Sequence, residues 1–138
     1  KIKRILQDMT YKEKKFLLFI DDERFPYVKN PKLDDVSAYH YTNYEPFKTK
    51  KWVIVRSYNE FIDKIEELGL PQICSFDNDL GDVGVDEKTG YDCAKWLCTY
   101  CQTNGLKFPD YHVHSMNPIG KVNIISYIEN YKKFVELK

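Results

Sequence analysis

At 138 residues and 43% hydrophobic content, the chain is long enough for one domain with a real core and needs no covalent staples. Lys plus Arg and Asp plus Glu number 21 each, a balance that excludes the basic footprint of a protein gripping long nucleic acid through its phosphates. No signal peptide and no bilayer-length apolar run is visible, so the expectation is a single domain over residues 1–138, cytoplasmic and without membrane contact.

Residues 1–15 are lysine-rich, with Ile2, Ile5, Leu6 and Met9 at roughly helical spacing, and read as a short helix or an extra arm. Phe16–Ile20 has the unbroken apolar run of a central strand buried on both faces. It stops at Asp21-Asp22-Glu23-Arg24. Residues 27–51 show no clean period and contain Tyr39, Tyr41 and Tyr44; a stretch this long reads as a loop or lid.

Trp52–Arg56 is the second predicted strand. Ser57 with Glu60 three residues on forms a capping-box pattern, Phe61, Ile62, Ile65 and Leu68 make an apolar stripe, and Gly69 ends the helix. Gln72–Phe76 is the third strand and again ends in acids, Asp77-Asn78-Asp79. A loop over 79–88 leads through Thr89-Gly90 to a helix at about 91–103, with Ala94, Trp96, Leu97 and Tyr100 or Cys101 inward. Tyr111–Ser115 is the fourth strand. The last helix is expected from about Lys121 to Phe134, with Val122, Ile125, Ile128 and Tyr131 inward. Cys98-x-x-Cys101 has metal-like spacing but sits inside a predicted helix with no second pair, so all four cysteines are assigned to packing.

Strands alternating with helices predict a three-layer α/β domain with a central, mostly parallel sheet of about four strands, the first between the second and third and the fourth outside the third. Ligands bind at the C-terminal edge of such sheets. Asp21, Asp22 and Asp77 converge there, and like charges so close call for a divalent cation, Mg²⁺ or Mn²⁺. His114 is the candidate general acid or base, with Asp77 and Asp79 as further catalytic carboxylates. Arg24, Arg56, Ser115, Asn117 and Lys121 are the candidates for gripping phosphate oxygens, with Gly120 opening backbone N–H groups to an anion.

Taken together, Ile20-Asp21-Asp22-Glu23-Arg24-x-Pro26, Arg56-Ser57-Tyr58, Ser75-Phe76-Asp77-x-Asp79-Leu80-Gly81, Thr89-Gly90-Tyr91-Asp92 and His114-Ser115-x-Asn117-Pro118-x-Gly120 resemble the cyclic-phosphate processing receiver-like domains of phages and bacteria. The resemblance spans Phe16 to about Tyr131 and implies a receiver-like (flavodoxin-like) fold. It also implies metal-assisted hydrolysis or processing of a cyclic phosphate on a small nucleotide or RNA end. Asn78 departs from the pattern, standing where family members often carry His. The alternatives are a protein that binds cyclic nucleotides without turning them over, as a sensor or a phage sponge with Tyr39, Tyr41 and Tyr44 stacking a base, and a phosphoacceptor receiver with Asp77 as acceptor and Ser115 as switch hydroxyl. A phage source would place the protein in the host cytoplasm. Oligomeric state is not legible.

Overall fold

The apolarity of the first strand on both faces has its reason in position. In the computed structural model, which describes residues 16–30, 37–81 and 87–137, β1 (Leu17–Ile20) lies inside a four-stranded sheet and all four of its residues are buried. It pairs in parallel with β2 (Val53–Val55) on one side and β3 (Ile73–Phe76) on the other, and β3 pairs in parallel with β4 (Asp110–Val113). The order β2-β1-β3-β4 is the one expected. The predicted arm or helix at 1–15, and 82–86 of the acidic loop, lie outside the described residues.

Period-two alternation sends neighbouring side chains of β1 into different cores. Leu18 and Ile20 join a large core with Phe76 of β3 and with Phe61, Ile65, Leu97, Ile124 and Ile128, supplied by α3 (Tyr58–Leu68), α4 (Gly90–Asn104) and α5 (Pro118–Glu136). Phe19 points the other way, into a smaller aromatic core with Ala38 and Phe47. Residues 27–51 are thereby corrected from an irregular loop. They contain α1 (Tyr39–Thr42) and α2 (Glu45–Thr49), each too short to show a period, and Phe47 between them and the sheet is buried. The segment is pinned at its return, where Ala38 and Tyr39 donate backbone hydrogen bonds to the Phe25 and Pro26 carbonyls. The crossover from β1 to β2 thus lies on one face. Those from β2 to β3 and β3 to β4 run the opposite way across the sheet and lie on the other, as a constant handedness requires.

Helix starts follow their caps. Thr89 and Asp92 form a full capping box at α4, whereas at α3 Ser57 Oγ accepts from Glu60 N but Glu60 Oε1 turns to Arg56 N instead of Ser57 N. Asn117 caps α5 with Pro118 at its first position, so the helix begins three residues before Lys121. The inward stripe of α5 is also corrected. Gly120, Ile124 and Ile128 are buried at i, i+4 spacing, Ile125 and Tyr131 are half-buried, and Val122 is exposed. On α4, Cys93, Ala94, Leu97, Cys98 and Cys101 are buried, and Trp96 and Tyr100 sit at the rim. All four cysteines are buried and outside any disulfide, and burial pushes the Cys98 and Cys101 thiols up to about 12, which keeps them protonated and inert.

Candidate active site

The site is one row of side chains just past the strand ends. Phe19, Ser75 and His112 face one another across β1, β3 and β4. Two residues further along each chain, the same face carries Asp21, Asp77 and His114. The ladder bonds continue that far: Asp21 N donates to Val55 O, Asp77 N to Ile20 O and His114 N to Phe76 O. Three positions separated by up to 93 residues of chain are thereby held side by side at the C-terminal edge.

Asp21, Asp22 and Asp77 each offer a carboxylate oxygen, all within 4.8 Å of one another. Asp21 is fully buried, and burial pushes its pKa up, but the His114 imidazole and the backbone N–H groups of Arg24 and Glu23 outweigh this and hold it below the ordinary value. At Asp77 the balance goes the other way, because the Asn78 N–H and Arg24 offset less than burial adds. Burial and the neighbouring Asp21 charge push it up to about 7. Its Oδ1 accepts from Asn78 N, while Oδ2 is buried with no hydrogen-bond partner among the described residues. Asp22 is raised too, by burial and by Asp21 and Glu23. Hard oxygen donors in excess of nearby positive charge, one of them an orphaned buried atom, fit a hard divalent cation of the Mg²⁺ or Mn²⁺ kind.

His114 corrects a sequence expectation. It is 1% exposed, stacked on Phe19 at 4.4 Å, and lies behind Asp21 instead of at the mouth of the sheet. Its Nε2 is 3.1 Å from Asp21 Oδ2 and its Nδ1 is 2.7 Å from Ser75 Oγ. An ionised Asp21 only accepts, so Nε2 carries the proton and Nδ1 accepts from the serine hydroxyl. Burial lowers the His114 pKa despite Asp21, keeping the ring neutral. The ring holds the Asp21 carboxylate from its buried side. Ser75, its partner, received no role from the sequence. A polar residue within an otherwise apolar strand was the available signal.

The basic residues divide. Arg24 Nη1 stands 3.8 Å from Asp21 Oδ2 and 3.7 Å from Asp77 Oδ2, and its guanidinium lies over the Tyr41 ring. Arg56 is a clamp instead: its Nη1 donates to the Asp21 and Arg24 carbonyls while the guanidinium covers Phe25. With that nitrogen committed to two carbonyls, Arg56 fixes the β1 turn, and it is not among the residues that line the cavity over the acids.

An open cavity of about 340 Å³ lies over the acids, lined by Asp22, Glu23, Arg24, Asp77, Asp79, Gly81, Met116 and Asn117. Asp79 is exposed at its rim. Asn117 Oδ1 accepts from Ile119 and Gly120 N–H groups, which leaves its Nδ2 as the donor on a cavity-lining side chain. Those two backbone N–H groups are therefore committed to the cap, contrary to the anion-binding role expected near Gly120. The glycine serves another purpose, since a Cβ there would come 2.5 Å from the Asn78 side chain. Asn78, nearly buried, packs on the first turn of α5 and donates from Nδ2 to Asp79 Oδ1. Ser115 Oγ accepts from Asn117 N, and neither Ser115 nor the exposed Lys121 lines the cavity. Both pointed to phosphate by nearness in sequence, and the turn into α5 carries them elsewhere.

The tyrosines are also engaged. Tyr41 donates to the His114 carbonyl at 2.8 Å, Tyr44 stacks on His112 at 3.8 Å, and Tyr39 meets Tyr27 and His40 edge-on. These half-buried rings pack against the second core. Sequence reasoning missed Glu23 and Met116 as cavity walls, whose exposure in turns left no periodic signal.

A family model for the cyclic-phosphate processing receiver domain matches residues 16–130 of the chain. No curated protein and no solved structure matches it.

Proposed function

The chain belongs to the cyclic-phosphate processing receiver domain family, and from that premise we propose that its acidic cavity hydrolyses a cyclic phosphodiester on a small nucleotide or RNA end with the help of a divalent cation. The observation that carries this reading is the cluster of Asp21, Asp22 and Asp77, which includes a buried carboxylate oxygen, Asp77 Oδ2, with no hydrogen-bond partner among the described residues. Asp21, Asp22 and Asp77 would hold the ion, which when bound polarises phosphoryl oxygens and acidifies a neighbouring water. Arg24 and the Asn117 Nδ2 amide, both lining the cavity, grip the non-bridging oxygens. Asp79 at the rim, steadied by Asn78, is placed to orient the water as base. Water adds across one ring P–O bond, giving a phosphate monoester and a free hydroxyl. His114 and Ser75 act behind Asp21, fixing its orientation.

The test is incubation with cyclic mono-, di- and oligonucleotides and 2′,3′-cyclic RNA ends, with Mg²⁺ or Mn²⁺ and then EDTA. Product that disappears with EDTA and in Asp77→Asn is the expected result. A second reading is favoured by the burial of His114, which leaves no histidine among the described residues lining the cavity. On that reading the protein holds a cyclic nucleotide without turnover, and ligand is recovered intact after heat denaturation. Acetyl-phosphate labelling of Asp77 would instead favour a phosphoacceptor.

A further inference from the structure

Two of the oxygens that a cation would need already face a positive charge. Arg24 Nη1 sits between Asp21 Oδ2 and Asp77 Oδ2 at 3.8 and 3.7 Å, within ion-pair range but too far for hydrogen bonds. The guanidinium therefore offsets the cluster's charge without satisfying it, and Asp77 Oδ2 stays unpartnered. Arg24 is not locked in place by these contacts. Its side chain is 23% exposed and lines the cavity, over a Tyr41 ring that is itself tied to the His114 carbonyl. A planar fork held loosely on carboxylates, with a bidentate preference for phosphate, has two partners to choose between.

We propose that Arg24 is a resident counter-cation that competes with the divalent ion for Asp21 and Asp77, so that ion and phosphate bind cooperatively. A phosphate in the cavity draws the guanidinium onto its own oxygens and frees the two carboxylates for the ion. The ion, once seated, repels the guanidinium toward the phosphate. By reciprocity each ligand tightens the other by one and the same factor. The proposal rests on the metal-and-phosphate reading of this cavity and adds how its loading is ordered.

Mn²⁺ binding is followed by electron paramagnetic resonance, with and without inorganic phosphate, after subtracting complexation in buffer. Wild type, Arg24→Gln and Arg24→Lys are compared. The expected result is that Arg24→Gln binds Mn²⁺ about fivefold or more tighter than wild type without phosphate, the lower end of typical coupling. Phosphate should tighten Mn²⁺ binding by wild type by a similar factor and leave Arg24→Gln unchanged. Arg24→Lys, which keeps the charge, should stay near wild type. The proposal is overturned if wild type binds Mn²⁺ but Arg24→Gln binds it no more tightly, or if phosphate has no effect on wild type. The wild-type measurement decides the coupling even should a variant fail to fold. If wild type, Arg24→Gln and Arg24→Lys all fail to bind Mn²⁺, the metal reading itself falls, and this proposal with it.

Discussion

Replacing Asp77 by Asn should stabilise the metal-free protein, and by more as pH rises. Asp77 is 2% exposed, and burial together with the Asp21 charge lifts its pKa from 3.8 to about 7. The folded state then holds this proton more tightly than the unfolded chain, so stability falls as pH climbs from about 4 to about 7 and levels off above. A gap of roughly 3 pKa units is worth about 4 kcal/mol in full, of which about 2.5 kcal/mol develops between pH 5 and pH 8. The amide is isosteric. Its oxygen can keep the bond from Asn78 N, and its NH₂ would take the place of the orphaned Oδ2, at the cost of the loose ion pair with Arg24. Shifts at Asp21 and Asp22 are shared by both proteins and largely cancel in the difference. Urea denaturation in EDTA across this pH range measures it, and Mg²⁺ at pH 8 should narrow the gap by rescuing wild type. Parallel curves for the two proteins, or Asp77→Asn less stable than wild type at pH 8, would refute the burial argument.

Ser75→Ala removes the hydroxyl that fixes His114 Nδ1, so Asp21 loses its orientation and Mn²⁺ affinity should drop about tenfold; an unchanged affinity would make that chain purely structural. Gly90→Ala puts a Cβ 1.6 Å from the Asp77 carbonyl oxygen, an overlap that forces α4 off the site. A loss of about 3 kcal/mol is expected in urea melts, and a change under half a kcal/mol would contradict the packing. His112 has its pKa lowered to about 4, first by burial and then by the neighbouring His114 and Lys121, and its Nε2 has no partner among the described residues. Protonation therefore favours the unfolded chain, and stability should fall as pH drops from about 6.5 toward 4. His112→Phe, which can keep the ring contact with Tyr44, should flatten that acid limb; an equally steep limb would assign it to another group.

Much of the architecture was legible because it depends on local pattern. An apolar run of strand length ending in acids, repeated at Asp21-Asp22 and Asp77, marked two parallel strands and the edge where they meet. Gly69 ended its helix at a residue whose positive φ suits glycine. What the chain alone did not reveal was depth. His114 looked like a group at a mouth, yet Phe19 and Phe47 cover it, and they come from elements far away in sequence. Arg24 and Arg56 carry the same charge and each follows a strand, and only the packing of the β1 turn assigns one to carboxylates and the other to carbonyls. Val122 and Ile124 are equally apolar, and the contact between Gly120 and Asn78 sets which of them faces in. The sequence by itself determined which groups reach the C-terminal edge of the sheet, since strand length and side-chain parity are local. Tertiary structure alone decided which of them are solvated and which are paired, since desolvation and charge contacts arise only when distant segments close on one another.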